Sequence, residues 1–331
     1  MIEFRYLPKE NAEKYLPGLF DILHLNTSKI APAETNYEEE FDKWHGAVAP
    51  ALEKKSRQII LIYDGGKVIG YFQYYVNDTT FMMEEIQLLP EYQGKGVFQK
   101  LYAYLARVVP ADILVVEAYA DKRNERSQSI LRHLGLEGTE DGEFVRFRGE
   151  CQPMLERYRT KTVSIYGENR ITPYEKLREG CRGIVIRDGK ILVSREGKTG
   201  IVMIPGGGLE REETLEECCR RELAEETGYV VEPEMCFLEL DEYYGEFKFV
   251  GYYYICRVVG TCGRHLTEQE KDVGMAPVWM DVDEFVDILS RYGDYAGIDE
   301  DRRGMYLREY TAMREYLDQI ERRRGVKDEI S

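Results

Sequence analysis

The fold of the C-terminal half is decided by one stretch, GGLEREETLEECCRRELAEETGY, at residues 207–229. In it a glycine is followed six positions later by Glu213, and Arg221-Glu222-Leu223 begins eight positions after that. Glu225-Glu226 and Gly228 follow at short, fixed intervals. A match at this many spaced positions has a negligible probability of arising by chance, and the spacing predicts a specific chemistry.

The segment 213–227 predicts a helix, because Glu, Leu, Arg and Ala favour helix and Gly228 is a typical residue for a helix end. Residues three and four apart share one face of a helix, so three carboxylates converge on one edge: those of Glu222, Glu225 and Glu226. Another edge is apolar and is expected to face the core, with Leu215, Cys219 and Leu223.

Three carboxylates on one edge repel each other unless a positive charge neutralises them. Hard divalent cations such as Mg2+ bind oxygen ligands and bridge substrate phosphates. The approach to the helix, Pro205-Gly206-Gly207-Gly208, contains glycines that allow the backbone to come close to a metal ion or a pyrophosphate. The alternative is an acidic, solvent-exposed helix face, which explains neither the glycine-rich approach nor the placement of Arg221. The pattern therefore favours a divalent-cation site that faces a phosphate group.

The same stretch resembles the Nudix box, G-x5-E-x7-R-E-U-x-E-E-x-G-U, with Tyr229 where an aliphatic residue is usual. The resemblance implies a hydrolase that binds Mg2+ or Mn2+ on this helix and cleaves the pyrophosphate of a nucleoside diphosphate linked to another group. The metal ligands that it implies are Glu222, Glu225, Glu226 and the carbonyl oxygen of Gly206. It also implies that Arg221 and Glu213 brace the loop and the helix.

The general base differs between Nudix subfamilies and stays open here. One candidate is Glu222, and the others are two acids of the later segment LTEQEK (266–271), Glu268 and Glu270. The residues before the box lack the Arg-rich signature of Nudix enzymes that cleave CoA. The expected substrate is therefore a nucleotide-type small molecule whose identity the sequence leaves open.

Composition limits the classes of function. A chain of 331 residues, 43% of them hydrophobic, is long enough for two domains with ordinary cores. A net charge of −16 argues against a general nucleic-acid binder, because phosphate contacts need a basic surface. Seven cysteines without paired metal spacing indicate the reduced thiols of a cytoplasmic protein. No apolar leader and no apolar run of ~18 residues are visible, so neither secretion nor a membrane span is predicted.

The first half of the chain has its own pattern of strands and helices. RQIILIYD (57–64) and KVIGYFQYYVN (67–77) predict a hairpin around Asp64-Gly65-Gly66. A further strand leads into a glycine-bearing loop at 90–97, and a helix follows the loop. Backbone N–H groups at the start of such a helix are unsatisfied and favour an anion, so the loop predicts a phosphate contact.

This loop, within LLPEYQGKGVFQKL, resembles the acetyl-CoA loop of the GNAT acyltransferases, Q/R-x-x-G-x-G/A. NERSQSILRHLGL, about thirty residues later, resembles their second signature, and the order of strands and helices fits as well. The resemblance implies a GNAT fold with acetyl-CoA as co-substrate. The acyl-CoA contacts that it implies are Leu88, Leu89, Gln93, Gly94, Lys95, Gly96, Val97 and Asn124.

Two departures from the GNAT pattern bear on activity. Phe98 stands where the loop usually ends in a small residue, and Leu131 replaces a tyrosine that protonates the leaving thiolate in many GNAT enzymes. On the preceding strand, Glu84 and Glu85 alternate faces, so one of them is a candidate base for an amine nucleophile. The alternative, which is given equal weight, is that these glutamates are solvated carboxylates without a catalytic role.

Three functions remain open. The chain is a bifunctional hydrolase and N-acetyltransferase, or a hydrolase whose N-terminal domain only binds acyl-CoA or acts as a scaffold, or a catalytically inactive ligand sensor. The intact glutamates of the box argue against the sensor. The leucine at 131 favours the second function over the first.

The predicted fold class is α/β (α+β) in two domains. Residues 1–150 are expected to form a GNAT-like mixed sheet flanked by helices, residues 151–175 a linker, and residues 176–331 a Nudix α/β/α sandwich with a C-terminal helix. That helix carries one apolar stripe, formed by Tyr306, Tyr310, Met313, Leu317 and Ile320. The stripe predicts docking on the chain's own surface, with a homodimer contact as the alternative.

Overall fold

The computed structural model describes residues 2–30, 35–54 and 57–328. The chain folds as two units, one built from the residues up to Tyr158 and the other from Arg159 to Arg324. Each has its own sheets and its own buried core.

In its described residues, the N-terminal unit has one seven-stranded sheet in the order β1-β2-β3-β4-β5-β7-β6. Adjacent strands are antiparallel except β4 and β5, which run parallel. The strands are β1 (Ile2–Tyr6), β2 (Gln58–Asp64), β3 (Lys67–Asn77), β4 (Thr80–Leu88), β5 (Val115–Asp121), β6 (Glu137–Asp141) and β7 (Phe144–Glu150). The predicted hairpin is therefore confirmed as β2 and β3.

Helices cover both faces of this sheet. Alternate residues of β2 point to opposite faces and pack against different helices. Ile59 and Leu61 pack with helices α1 and α2, whereas Ile62 packs with Val97 of α3. The helices of the unit are α1 (Ala12–Thr27), α2 (Tyr37–Glu53), α3 (Val97–Val108), α4 (Glu125–His133) and α5 (Cys151–Glu156). The predicted mixed sheet flanked by helices is confirmed.

The C-terminal unit contains a five-stranded mixed sheet in the order β13-β9-β15-β14-β8 and a smaller sheet built around β11. In the smaller sheet β11 pairs with β10, β12 and β16. The strands are β8 (Lys161–Tyr166), β9 (Lys176–Ile184), β10 (Ile186–Arg187), β11 (Lys190–Glu196), β12 (Val202–Met203), β13 (Gly206–Gly208), β14 (Tyr229–Tyr244), β15 (Phe247–Thr261) and β16 (Met275–Asp281).

The five-stranded sheet lies between two helices. The α-helices of the C-terminal unit are α6 (Leu215–Thr227), α7 (Glu268–Val273), α8 (Val282–Ser290) and α9 (Glu300–Asp328), and the two that flank the sheet are α6 and α9. On one face Cys219 and Leu223 of α6 are fully buried against Cys181 and Cys256. On the other face α9 packs through Tyr316, whose ring contacts Phe237. The expected α/β/α sandwich is confirmed.

Two parts of the chain differ in detail from expectation. The stretch 151–175, predicted as a linker, is partly regular: α5 covers its first residues, and β8 adds a parallel edge strand to β14. Apolar residues at only a few of these positions are buried, which is why the periodicity is weak. In the stripe on α9, Tyr306 and Met313 are buried, and the fully buried Glu309 lies between them.

Candidate functional site

Helix α6 begins at Leu215, two residues later than predicted, because Thr214 caps it. The Thr214 hydroxyl accepts from the Glu217 amide, and the Glu217 carboxylate accepts from the Thr214 amide at 2.9 Å, forming a capping box. The helix ends at Gly228, whose φ of 73° favours glycine. Glu213 therefore belongs to the loop and not to the helix.

Arg221 connects that loop to the helix. Its guanidinium donates to both Glu213 oxygens, at 2.8 and 2.9 Å, and to the Gly208 carbonyl oxygen at 3.0 Å. Its Nη1 also reaches Glu222 at 2.8 Å and Glu225 at 3.3 Å. The hydrogen bonds from Arg221 lower the pKa of Glu213.

The predicted acidic edge is present and electrostatically crowded. Burial raises the pKa of Glu222, and the charges of Glu225 and Glu270 raise it further. Burial likewise raises the pKa of Glu226 to about 7, with Glu270 and Glu222 adding to the effect. The Ser194 hydroxyl, on β11, donates to Glu226 Oε2 at 2.7 Å.

The glycine-rich approach gives the Glu222 carboxylate its space. Gly207 lies in β13, and a Cβ atom there would come within 2.4 Å of Glu222 Oε2. A side chain at residue 207 would therefore displace the Glu222 carboxylate from its position beside the backbone. Gly206 pairs with Arg182 across β13 and β9.

In the described residues, no three His, Cys, Asp or Glu side chains are gathered around a common metal position. The box glutamates are instead hydrogen-bonded to other side chains. Glu222 and Glu225 accept from Arg221, and Glu226 accepts from Ser194. The chemistry of the site still fits a hard divalent cation. Its donors are carboxylate oxygens that raise each other's proton affinity, and a divalent ion relieves that repulsion.

Two candidate bases on α7 have different surroundings. The Glu268 side chain is almost fully exposed and pairs with Lys271 at 2.7 Å. Glu270 is fixed by a capping box, in which it accepts from the Thr267 amide at 2.7 Å. The charge of Glu270 raises the pKa of both Glu222 and Glu226. Glu270 therefore lies near enough to influence the box glutamates electrostatically.

The glycine-bearing loop of the N-terminal unit turns into α3 at Gly96. Gly96 has a φ of 76° and caps the helix without a side-chain hydrogen bond, so this residue leaves the first amides of α3 without a side-chain acceptor. The Gln93 side chain donates to the carbonyl of the buried Leu88 at 3.0 Å, which ties the loop to β4. Asn124 caps α4 by accepting from the Ser127 amide at 3.0 Å.

Strands β4 and β5, together with helices α1, α3 and α4, line an open cavity of about 270 Å³. Their pairing ends at Met83 and Ala118, although both strands continue beyond that point. The cavity is lined by Asn124 and by both departures from the GNAT pattern, Phe98 and Leu131. The bulky ring at 98 therefore contributes to the wall of the cavity.

The two acids of β4 are distinguished by their partners. A bulge in the β3–β4 pairing leaves Glu84 as an extra residue, and Arg57 holds its carboxylate. Glu85 accepts from the Tyr71 hydroxyl at 2.5 Å and from the Trp44 indole at 3.3 Å. Burial raises the pKa of Glu85, and both side chains line the cavity.

Family models match the two units separately. The NUDIX domain model matches residues 177–299, which contain the capped helix and its carboxylates. The C-terminal unit is a Nudix domain. The acetyltransferase (GNAT) family model matches residues 16–136, so the chain carries a GNAT-family domain and a Nudix domain. A Nudix domain supports pyrophosphohydrolase activity.

Several solved structures are similar to this chain. One is the PaiA N-acetyltransferase of Thermoplasma acidophilum in complex with coenzyme A, at 16% identity and a TM-score of 0.40, over 46% of this chain and 99% of that one. Another is an acetyltransferase of Thermus thermophilus, at 14% identity and a TM-score of 0.38, over 46% and 97%. No curated protein matches the chain. In the described ranges, no helix combines the length and apolar character needed to cross a bilayer.

Sequence reasoning missed functional candidates that lie outside the motifs. Ser194, the partner of Glu226, is fully buried, and a lone serine in the apolar run ILVS was the available signal. Glu242 of β14 and Arg308 of α9 line a cavity in the Nudix unit. Nothing in the local sequence marks these two, because they are far apart in the chain.

Proposed function

We propose that the Nudix unit hydrolyses the diphosphate of a nucleoside diphosphate derivative in a reaction that depends on Mg2+ or Mn2+. The observation that carries the proposal is the placement of Glu222, Glu225 and Glu226 on one helix, α6, where burial raises the pKa of Glu222 and Glu226 and the charge of Glu270 adds to both shifts. Arg221 lowers the pKa of Glu222, and the Ser194 hydroxyl lowers that of Glu226; a bound divalent cation would offset the remaining repulsion.

The residues have distinct roles in this proposal. Glu222, Glu225 and Glu226 would hold the ion, with the Gly206 carbonyl as a further ligand. When bound, the ion would supply positive charge to the diphosphate and lower the pKa of bound water. Arg221 and Glu213 keep the loop against the helix, and Glu270 is the preferred acceptor for the proton of the attacking water, ahead of Glu268 and Glu222.

A phosphate-release screen tests this function. The panel is nucleotide sugars, dinucleotides, nucleoside triphosphates and CoA, each with Mg2+ and with Mn2+. Turnover of a diphosphate-linked compound is expected, and it should be lost in Glu225→Gln and in Glu226→Gln. Glu212→Gln, at an exposed position of the same loop, is the matched control. Activity retained in both variants, with folding verified by circular dichroism, would refute the assignment.

For the GNAT unit we propose binding of acetyl-CoA, with the pyrophosphate on the amides of the 93–97 loop and the thioester toward the β4–β5 cavity. Glu85 is the best base for an amine acceptor, since its buried carboxylate has a raised pKa and lines that cavity. The acid for the leaving thiolate is missing at Leu131. Binding without efficient transfer is therefore the second candidate for this unit.

Calorimetry with acetyl-CoA separates these functions. Heat of binding followed by acetyl transfer to an amine supports the bifunctional enzyme, and binding alone supports a module that only recognises acyl-CoA. No heat at millimolar ligand would remove both. Cytoplasmic location and a homodimer remain predictions.

A further inference from the structure

Several hydroxyl groups line the β4–β5 cavity of the GNAT unit, although Leu131 supplies none. They belong to Thr27, Tyr102, Tyr119 and Ser127. The Thr27 hydroxyl donates to the Leu23 carbonyl oxygen at 2.9 Å. The Tyr119 hydroxyl donates to Glu117 of β5 at 3.2 Å. These two hydroxyl groups are therefore already matched with oxygen acceptors.

The hydroxyl of Tyr102 lacks a strong acceptor. Tyr102 is only 1% exposed, and in the described part of the chain its hydroxyl hydrogen-bonds only to Met83 Sδ, at 4.0 Å. A thioether sulfur is a weak acceptor, and a buried hydroxyl without a good partner is costly. Ser127 is only half-buried, so water can satisfy its hydroxyl. Of the cavity's hydroxyl groups, that of Tyr102 would therefore be stabilised most by a bound acceptor.

Tyr102 lies where strands β4 and β5 separate. Met83, which its hydroxyl contacts, is the last residue of β4 that pairs with β5. Phe98, one turn nearer the 93–97 loop on the same face of α3, also lines the cavity. The cavity wall therefore runs along α3 from the loop proposed to hold the pyrophosphate to the hydroxyl of Tyr102.

Tyr102 and Glu85 approach the cavity from opposite faces of the sheet. Glu85 accepts from Tyr71, which packs with α1 and α2 on one face. Tyr102 belongs to α3, which packs on the other face, and it contacts Met83. The bulge at Glu84 separates Met83 from Glu85, which explains why these two residues of β4 point to different faces. A base on one face and a hydrogen-bond donor on the other suit an acyl transfer, because the nucleophile and the leaving group occupy different positions on the carbonyl carbon.

We propose that the Tyr102 hydroxyl donates a hydrogen bond to the sulfur of acetyl-CoA and stabilises the thiolate as it departs. The inference rests on the proposed binding of acetyl-CoA with its thioester in this cavity. It assigns the task left open by Leu131 to a residue of a different helix, α3. Tyr102 lies outside both stretches that resemble GNAT motifs.

In the transfer step, the amine nitrogen bonds to the carbonyl carbon, and the carbon–sulfur bond breaks with its electron pair going to sulfur. Glu85 accepts the amine proton and passes it to solvent. The thiolate keeps its hydrogen bond from Tyr102 and takes up a proton from solvent as CoA leaves. Tyr102 retains its own proton throughout, because burial raises its pKa above the ordinary value of 10.0. It therefore acts as a hydrogen-bond donor and not as an acid.

The pKa of the CoA thiol in the complex tests the proposal without requiring turnover. The full-length protein is saturated with CoA, and the ultraviolet absorbance of the thiolate is followed against pH. The same titration with desulfo-CoA subtracts the signals of the protein's own thiols and phenols. A hydrogen bond to the thiolate lowers the thiol pKa. Tyr102→Phe should therefore raise that pKa by about one unit and slow acetyl transfer about tenfold. CoA affinity below the thiol pKa, measured by calorimetry, should stay the same.

Tyr104→Phe is the matched control, because it removes a hydroxyl from the same helix at a position whose ring stacks on Phe4 at 5.3 Å. It should leave the thiol pKa unchanged. Ser127→Ala removes the other hydroxyl of the cavity and should also have little effect. If Tyr102→Phe does not fold, Tyr102→Met replaces it with the same expected rise in the thiol pKa.

The proposal is overturned if the folded variant binds CoA with the wild-type thiol pKa, or if the rise appears in Ser127→Ala instead. Absence of CoA binding to the wild type would overturn it together with the proposed function of the GNAT unit. A thiol pKa that depends on Tyr102, in a protein that transfers no acetyl group, would support this inference and count against the transferase.

Discussion

Arg221 holds Glu213 with two parallel hydrogen bonds, from Nε to Oε1 at 2.8 Å and from Nη2 to Oε2 at 2.9 Å. The pair joins the loop before α6 to the second turn of the helix. A third bond, to the Gly208 carbonyl at 3.0 Å, extends the connection to the end of β13. The same guanidinium contacts Glu222 and Glu225, so the brace and the acidic edge share one residue.

Replacing this arginine by lysine should loosen the loop. An ammonium cannot reproduce the two-pronged contact with a carboxylate, so Arg221→Lys is expected to cost about 1–3 kcal/mol of unfolding free energy. Hydrolysis should fall at least tenfold, because the glycine backbone would no longer be held beside Glu222. Urea denaturation and steady-state kinetics measure the two effects. Arg211→Lys, at an exposed position of the loop, should change neither; equal behaviour of the two variants would contradict the role of Arg221.

The raised pKa of Glu226 predicts a pH dependence of stability in the metal-free protein. The folded pKa of about 7 exceeds the ordinary value of 4.5, so the folded state binds more protons between these values. Stability contributed by the protonated group is fully present below pH 4.5 and is lost as pH rises through 7. At 1.36 kcal/mol per pH unit, the loss amounts to about 3 kcal/mol.

Urea denaturation in the presence of a chelator, from pH 5 to pH 8, measures this loss. Glu226→Gln removes the titrating group and should flatten the profile in that range. Glu212→Gln should leave it as in the wild type. A wild-type profile that rises over the same interval would contradict the assignment.

The two acids of α7 offer a matched comparison. Glu270→Gln is expected to reduce kcat for diphosphate hydrolysis by about 100-fold or more, since general-base catalysis typically contributes that much. Glu268→Gln should retain activity, because its exposed carboxylate is paired with Lys271. Mn2+ affinity, measured by calorimetry, should change little in either variant. The reverse ranking would assign the base to Glu268, and equal activity of both variants would favour Glu222.

In the GNAT unit, Glu85→Gln should abolish acetyl transfer while leaving acetyl-CoA affinity intact. Its carboxylate lines the cavity but lies on β4, away from the loop proposed to hold the pyrophosphate. Transfer assays with a panel of primary amines and calorimetry with acetyl-CoA measure the two quantities. Glu143→Gln, an exposed position between β6 and β7, is the control. Undiminished transfer in Glu85→Gln would show that the base is another group.

Local signals predicted much of this protein. The residues of α6 and its flanks predict a helix that ends at a glycine. They also predict that three glutamates share one edge, because helical spacing depends only on neighbours within a few positions. The hairpin of β2 and β3 follows from alternation and a glycine turn. The stretch 151–175 contains a short helix and an edge strand, which bury few side chains and leave a weak pattern in the sequence.

The contacts that distinguish similar residues came only from the packed chain. Ser194 of β11 contacts Glu226 of α6, and Glu242 of β14 lies near Arg308 of α9, because folding brings these elements together. Glu84 and Glu85 are adjacent in sequence, yet Arg57 neutralises one and burial raises the pKa of the other. The sequence by itself thus determined which side chains share an element and a face. Their burial and their partners were decided by tertiary structure, because desolvation and charge pairing depend on distances between segments far apart along the chain.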